Sequence, residues 1–242
     1  RTAWLPTNVV GDKVGCTYEN GKVKAPPGFK EAWDTTTEGG WFAAAARAEH
    51  GGMDCPLFFR NAMDEFAIPS NMALSTAGAL NLGVYDLISE HGSAELQEIY
   101  AEKVASGEWC GTMCLTEPHA GTDLGIIRTK ALPREDGSHL ITGTKMFITF
   151  GEHDLSDNII HMVLAKLPDA PAGSRGISLF LVPKFLRDDS NLNGVSCSGI
   201  EEKMGLHGSP TCVLNFDDSI GWMVGEANTG MRLMFEMMNR ER

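Results

Sequence analysis

The stretch Met113-Cys114-Leu115-Thr116-Glu117-Pro118-His119-Ala120-Gly121-Thr122-Asp123 divides this sequence into two grammars. It reads as a short strand running into a turn of small and hydroxyl residues. Before it, apolar residues recur at helical spacing. After it, short β-rich runs alternate with turn residues. Gly121 removes a side chain that would obstruct close approach to the backbone, and Thr116 and Thr122 offer hydroxyls that can donate or accept. On residue chemistry alone the segment is either a ligand loop or a strand end with an ordinary turn.

Working upstream, Ser93-Ala94-Glu95-Leu96 places a capping serine before acidic and apolar positions, which predicts a helix start. That helix should bury Leu96, Ile99, Tyr100 and Val104 and end at Gly107. Met72 to His91 is rich in Ala, Leu and Gly and reads as a helix buried on several sides. Leu57, Phe58, Met63, Phe66 and Ala67 give one mixed apolar face. Trp41 to Ala48 is a short alanine-rich segment between Gly39-Gly40 and Gly51-Gly52. The opening through Gly28, with Pro6, Gly11, Gly15, Pro26 and Pro27, reads as loop.

Working downstream, Thr112–Thr116, Ile126–Leu132, His139–Thr142, Lys145–Phe150, Asn158–Lys166, Ile177–Val182, Val195–Cys197 and Thr211–Phe216 read as strands. Asp136-Gly137 is a strong hairpin signal, and Gly143-Thr144 is taken as a break between two strands. Closely spaced short strands point to a barrel or sandwich. The last segment returns to helix. Met231, Met234, Phe235 and Met238 fall at i, i+3, i+4 and i+7 as one apolar stripe, with Arg232, Glu236 and Arg240 off it. The pattern has no stop signal before Arg242, so the end reads as a truncation. The fold class is α+β: a helical part, then a β-barrel or sandwich, then the first helix of a further helical domain. The expected divisions are 1–110, incomplete at its start, 111–225, and 226–242.

The net charge of −12 and the lack of any long basic run argue against nucleic acid. At 43% hydrophobic and 21% charged, the chain has the composition of a globular protein. No run of 18 apolar residues is present, so no membrane-spanning helix is expected. Cys16, Cys55, Cys110, Cys114, Cys197 and Cys212 form no CxxC pair, which argues against a zinc ribbon or redox motif. They read as reduced thiols of a cytoplasmic protein. Dinucleotide-binding GxGxxG, P-loop, HExxH and GxSxG motifs are absent.

The segment Thr116-Glu117-Pro118-x-Ala120-Gly121-Thr122-Asp123 resembles the first signature of the acyl-CoA dehydrogenase family. Gly143-Thr144-Lys145-Met146-Phe147-Ile148-Thr149 is similar to that family's G-x-K-x-(W/F)-I-T strand. Gly225 to Arg242 resembles the Gly-rich turn and first helix of its C-terminal domain. Gly111 to Gly125, Gly151-Glu152-His153-Asp154 and Gly176 to Lys184 are similar to the larger bacterial members, including those acting on 3-methylmercaptopropionyl-CoA. The resemblance covers nearly the whole chain.

The resemblance implies FAD against the β domain and α,β-dehydrogenation of an acyl-CoA, with hydride passing to flavin N5. It places Met113, Leu115 and Thr116 along the flavin pyrimidine edge and Thr122 near the diphosphate or the CoA arm, with Gly121 also among the cofactor-binding residues. Phe147 would cover a flavin face and Thr149 would bond near N5. Asn239 and Arg242, with Thr122, would contact the acyl-CoA. Met113 stands where relatives often carry an aromatic residue. Glu117 is expected to fix the turn, and His119, His153 and His207 to be structural. No metal is implied. The catalytic base, a Glu in the family, is expected downstream, so this chain alone should bind FAD weakly and turn over poorly. A homodimer or larger assembly and an electron-transfer flavoprotein as acceptor are implied, in fatty acid metabolism. Two other readings stay open: an acyl-CoA oxidase, and a non-catalytic flavin- or CoA-binding module.

Overall fold

The computed structural model describes residues 2–186 and 191–240. Helices lead the chain: α1 (Leu5–Val14), α2 (Phe29–Glu38), α3 (Leu57–Ser70) and α4 (Met72–His91). A helical run then passes from α5 (Ala94–Leu96) through a π turn (Gln97–Ala101) into α6 (Glu102–Ser106). Asn71 caps α4 by accepting from Leu74 N at 2.9 Å. Ser93 does the same for Leu96 at 3.3 Å. Gly107 closes the run in the left-handed region, φ 84.

The opening is not loop throughout. Pro6 sits in the first turn of α1, where a missing N–H costs nothing. Gly11 lets α1 press on Phe29, since a Cβ there would lie 2.6 Å from the ring. A hairpin follows, β1 (Thr17–Glu19) with β2 (Lys22–Lys24). Its turn, Asn20-Gly21, has φ 51 and 79, the positive values that Asn-Gly adopts most readily. On α3 the expected apolar face is present, but Leu57, Phe58 and Phe66 are exposed rather than packed.

Seven further strands form one sheet: β3 (Trp109–Cys114), β4 (Lys130–Pro133), β5 (His139–Thr149), β6 (Asn158–Lys166), β7 (Ile177–Pro183), β8 (Val195–Ile200) and β9 (Thr211–Val224). Pairings β6–β4, β4–β5, β5–β9, β9–β7 and β7–β6 close a ring, with β3 added on β6 and β8 on β9. Gly143-Thr144 does not break β5. One strand runs through, with register shifts at Ile141/Gly143 and Lys145/Ile148.

β6 and β7 are covered on both faces, hence their unbroken apolar runs. Ile160, Met162, Leu164, Leu179 and Leu181 face a core shared with α4, the π turn and α7 (Gly230–Arg240). Val163, Ala165, Phe180 and Val182 face the ring interior with Ile141, Leu214 and Phe216. Gly111 brings β3 onto α4: a Cβ there would lie 2.5 Å from that of Val84.

α7 is a helix as expected, but its stripe is rotated. Leu233, Met234 and Met237 are buried, and Phe235 is 53% exposed. Gly230 rests on the β7 backbone at Ser178, and Leu233 and Met237 follow it at helical spacing. His91 at the end of α4 meets Glu236 on α7, Nε2 to Oε2 2.6 Å.

Candidate functional site

The signature loop is built around a buried charge. Glu117 N donates to Ala120 O and Ala120 N to Glu117 O, each at 3.0 Å, closing a four-residue turn. The Glu117 side chain, 2% exposed, turns inward. Its carboxylate accepts from Arg128 N at 2.7 Å, Thr129 N at 3.0 Å, Thr129 Oγ1 at 2.5 Å and Lys145 Nζ at 2.9 Å. Burial raises a carboxylate's pKa, but the Lys145 charge and the bonds from Arg128 and Thr129 outweigh it and hold Glu117 below the usual range. Glu117 therefore fixes the turn as anticipated, a buried carboxylate held by four bonds from the chain itself.

Lys145 comes from β5, and its side chain is wholly buried. It also donates to Leu115 O at 2.9 Å. Met146 N donates to Thr116 O at 2.8 Å. One lysine thus binds the first motif to the second, a link that the sequence did not reveal.

The same strand then does something alternation does not predict. Lys145 pairs with Leu214 and Ile148 with Cys212, so Met146 and Phe147 oppose Val213 alone. This bulge turns Phe147 out of the core, 56% exposed, at φ 60. A left-handed conformation in a bulky aromatic is a true outlier, and such strain gathers at functional sites. Thr149 follows, half-buried, with no partner for its hydroxyl among the described residues. Thr116 is likewise half-buried, and neither its N–H nor its hydroxyl is bonded there.

The structure therefore ties Leu115 and Thr116 to Lys145 and Met146 of β5, with Phe147 and Thr149 the next outward positions along that strand. Met113 and Leu115 lie just before them, partly buried against the helix-facing core. Gly121 and Thr122 lie exposed at the loop tip. A Cβ on Gly121 would meet only Thr116 Cγ2, at 3.8 Å, so the chain itself does not need glycine there. Asn239 is exposed on α7 and makes no bond to this unit among the described residues. Arg242 lies outside the described residues.

The histidines are structural where they are buried. His153 Nδ1 accepts from Leu155 N at 3.1 Å, and burial with the nearby Lys184 pushes it down to about 3. His161, which sequence reading passed over, contacts Thr112 Oγ1 through Nδ1 at 2.7 Å and is likewise pushed down to about 3. His119 is exposed, with Nε2 3.1 Å from Ile126 O, and His207 ties α1 to the segment before β9 through Asp12 O. All six thiols are free, and burial pushes Cys110 and Cys114 up to about 12.

The acyl-CoA dehydrogenase middle-domain profile matches residues 112–219. The chain is 45% identical to the 3-methylmercaptopropionyl-CoA dehydrogenase of Ruegeria pomeroyi over 98% of its own length and 41% of the relative's. It is 40% identical to a butyryl-CoA dehydrogenase of Syntrophomonas wolfei over its whole length and 42% of the relative's. The acyl-CoA dehydrogenase of Geobacillus kaustophilus superposes with a TM-score of 0.79 at 25% identity, covering 99% of this chain and 58% of that one. The chain thus spans about two fifths of the length of these curated relatives. With the buried ion pair, the bulged aromatic strand and the ring of strands all in one continuous match, this chain belongs to the acyl-CoA dehydrogenase family, and residues 112–219 are its middle domain.

Proposed function

We propose that the whole protein carries out FAD-dependent α,β-dehydrogenation of an acyl-CoA thioester. The observation that carries this reading is a set of unspent groups on two segments tied together: Thr116 N–H and hydroxyl and the Thr149 hydroxyl have no partner among the described residues, the Phe147 ring turns outward, and Lys145 and Met146 join the loop to β5. A flat heteroaromatic with polar edges fits that donor set, and Gly121 leaves room a Cβ would take. When bound, the flavin supplies the hydride acceptor.

The residues of this chain hold and orient. Thr116, with Met113 and Leu115, lines the pyrimidine edge, Phe147 covers a ring face, and Thr149 donates near N5. Gly121 and Thr122 take the diphosphate or CoA arm, and Asn239 and Arg242 the acyl-CoA. In this reading the proton-abstracting carboxylate lies outside residues 1–242, as the family resemblance implies, and Glu117 serves the turn. An apolar cavity of about 100 Å³ between α3 and α4, framed by Trp41, Phe42, Met63, Gly78 and Leu82, is a candidate for the acyl tail. The likeness to the Ruegeria protein favours 3-methylmercaptopropionyl-CoA as substrate. We place the protein in the cytoplasm, as a homodimer or larger, handing electrons to an electron-transfer flavoprotein. No described helix is long and apolar enough to cross a membrane. The division at 110/111 and 225/226 is retained as part of this reading.

The test is an anaerobic titration of the full-length protein. Flavin absorbance that bleaches with 3-methylmercaptopropionyl-CoA supports the proposal and ranks it against butyryl-CoA. Hydrogen peroxide formed in air at the rate of turnover would move the assignment to an oxidase. Bound flavin that no acyl-CoA reduces would leave a binding module.

A further inference from the structure

Lys145 does more than join two segments. Its ammonium donates to Leu115 O at 2.9 Å. That oxygen belongs to the same peptide unit as Thr116 N–H, which has no bonding partner among the described residues. A cation on the carbonyl draws electron density from the nitrogen and makes the N–H a stronger donor, because successive hydrogen bonds polarise one another, most of all at low dielectric. The site is dry: Lys145 is 0% and Glu117 2% exposed. The geometry cannot relax easily, because Glu117, Thr129 and the β5 backbone hold the ammonium and the loop from three sides.

We propose that Lys145 is a positioning and tuning residue: through the Leu115–Thr116 peptide it strengthens one hydrogen bond to the flavin pyrimidine edge and so favours the reduced cofactor. This rests on the flavin assignment above. Reduction by a hydride leaves negative charge on the pyrimidine side, and a stronger donor there binds the reduced form more tightly than the oxidised one. Glu117 has the opposite effect, since its carboxylate partly neutralises the same ammonium. The pair therefore sets a potential, and its members push in opposite directions.

The experiment uses the full-length holoenzyme. The double variant Lys145→Gln/Glu117→Gln removes both charges and keeps amide groups able to bond Leu115 O and Thr129. We expect the preference for reduced over oxidised flavin to fall about tenfold, a shift of about 30 mV to more negative potential for a two-electron couple. The redox titration needs no substrate. A bound flavin with an unchanged potential overturns the proposal. Should the double variant lose its flavin, Glu117→Asp decides. It draws the carboxylate back from a retained ammonium, so the potential should move positive, and a value unchanged or more negative overturns the proposal. Wild-type full-length protein that binds no flavin would instead defeat the functional assignment on which this rests.

Discussion

At the scale of single residues, the Glu117–Lys145 pair decides whether the loop stands. Glu117→Ala would leave an unpaired buried ammonium and strip Arg128 N and Thr129 N of their acceptor. Breaking a buried pair in this way costs about 3–5 kcal/mol, readable as a lower urea midpoint with unchanged slope. Acid should act earlier, through histidine. His153 and His161 stay neutral in the fold down to about 3, whereas unfolded imidazoles take up protons through about 6.5. The unfolded chain therefore binds more protons throughout that window, and stability falls as pH falls. Two such groups give roughly 2.7 kcal/mol per pH unit within it. Unfolding curves between pH 7 and 4 check this, and a flat profile would refute it. Glu117 adds its loss only lower, as pH drops through its depressed folded value. His161 was not legible beforehand. A histidine inside an apolar strand differs from its neighbours only once the strand is known to be covered on both faces.

At the scale of elements, β5 and α7 show where periodicity misleads. Strict alternation puts Lys145, Phe147 and Thr149 on one face, and the bulge at Met146-Phe147 separates them. No residue type in that run forces a bulge. Phe147 carries a strained φ of 60, so Phe147→Gly should stabilise the flavin-free protein by about 1 kcal/mol while weakening flavin binding. Thermal melts with and without FAD separate the two effects. On α7, methionine spacing drew the stripe through Phe235, but contact with β7 at Gly230 selects Leu233 and Met237. Accordingly, Leu233→Ala should cost about 2–5 kcal/mol, and Phe235→Ala in the 242-residue chain less than about 0.5 kcal/mol. Equal losses would favour the methionine stripe.

At the scale of the whole molecule, the α+β order and the strand ring were legible because turn residues and β-branched runs mark them locally. The first helix and hairpin were not, because prolines and glycines were counted as breakers. Pro6 occupies a first turn and Gly11 a packing contact, roles that only the position of Phe29 makes clear. The candidate site was legible as motif, but not as geometry: nothing in the spacing of Leu115, Glu117 and Lys145 announces that one ammonium touches two of them.

The ring of strands has a last piece. β9 pairs with β5, β7 and β8, and it is the final strand among the described residues. While a ribosome synthesises residues 109–210, β5 has no second neighbour and the ring cannot shut. At cellular synthesis rates that interval lasts on the order of ten seconds. During it, long apolar strands such as β6 and β7 stand beside open hydrogen-bonding edges, the condition that invites pairing between chains. The nascent protein should therefore depend on chaperones most strongly just before Thr211 emerges. A messenger stopped ahead of that codon should yield aggregate, where one stopped after Val224 yields a closed barrel.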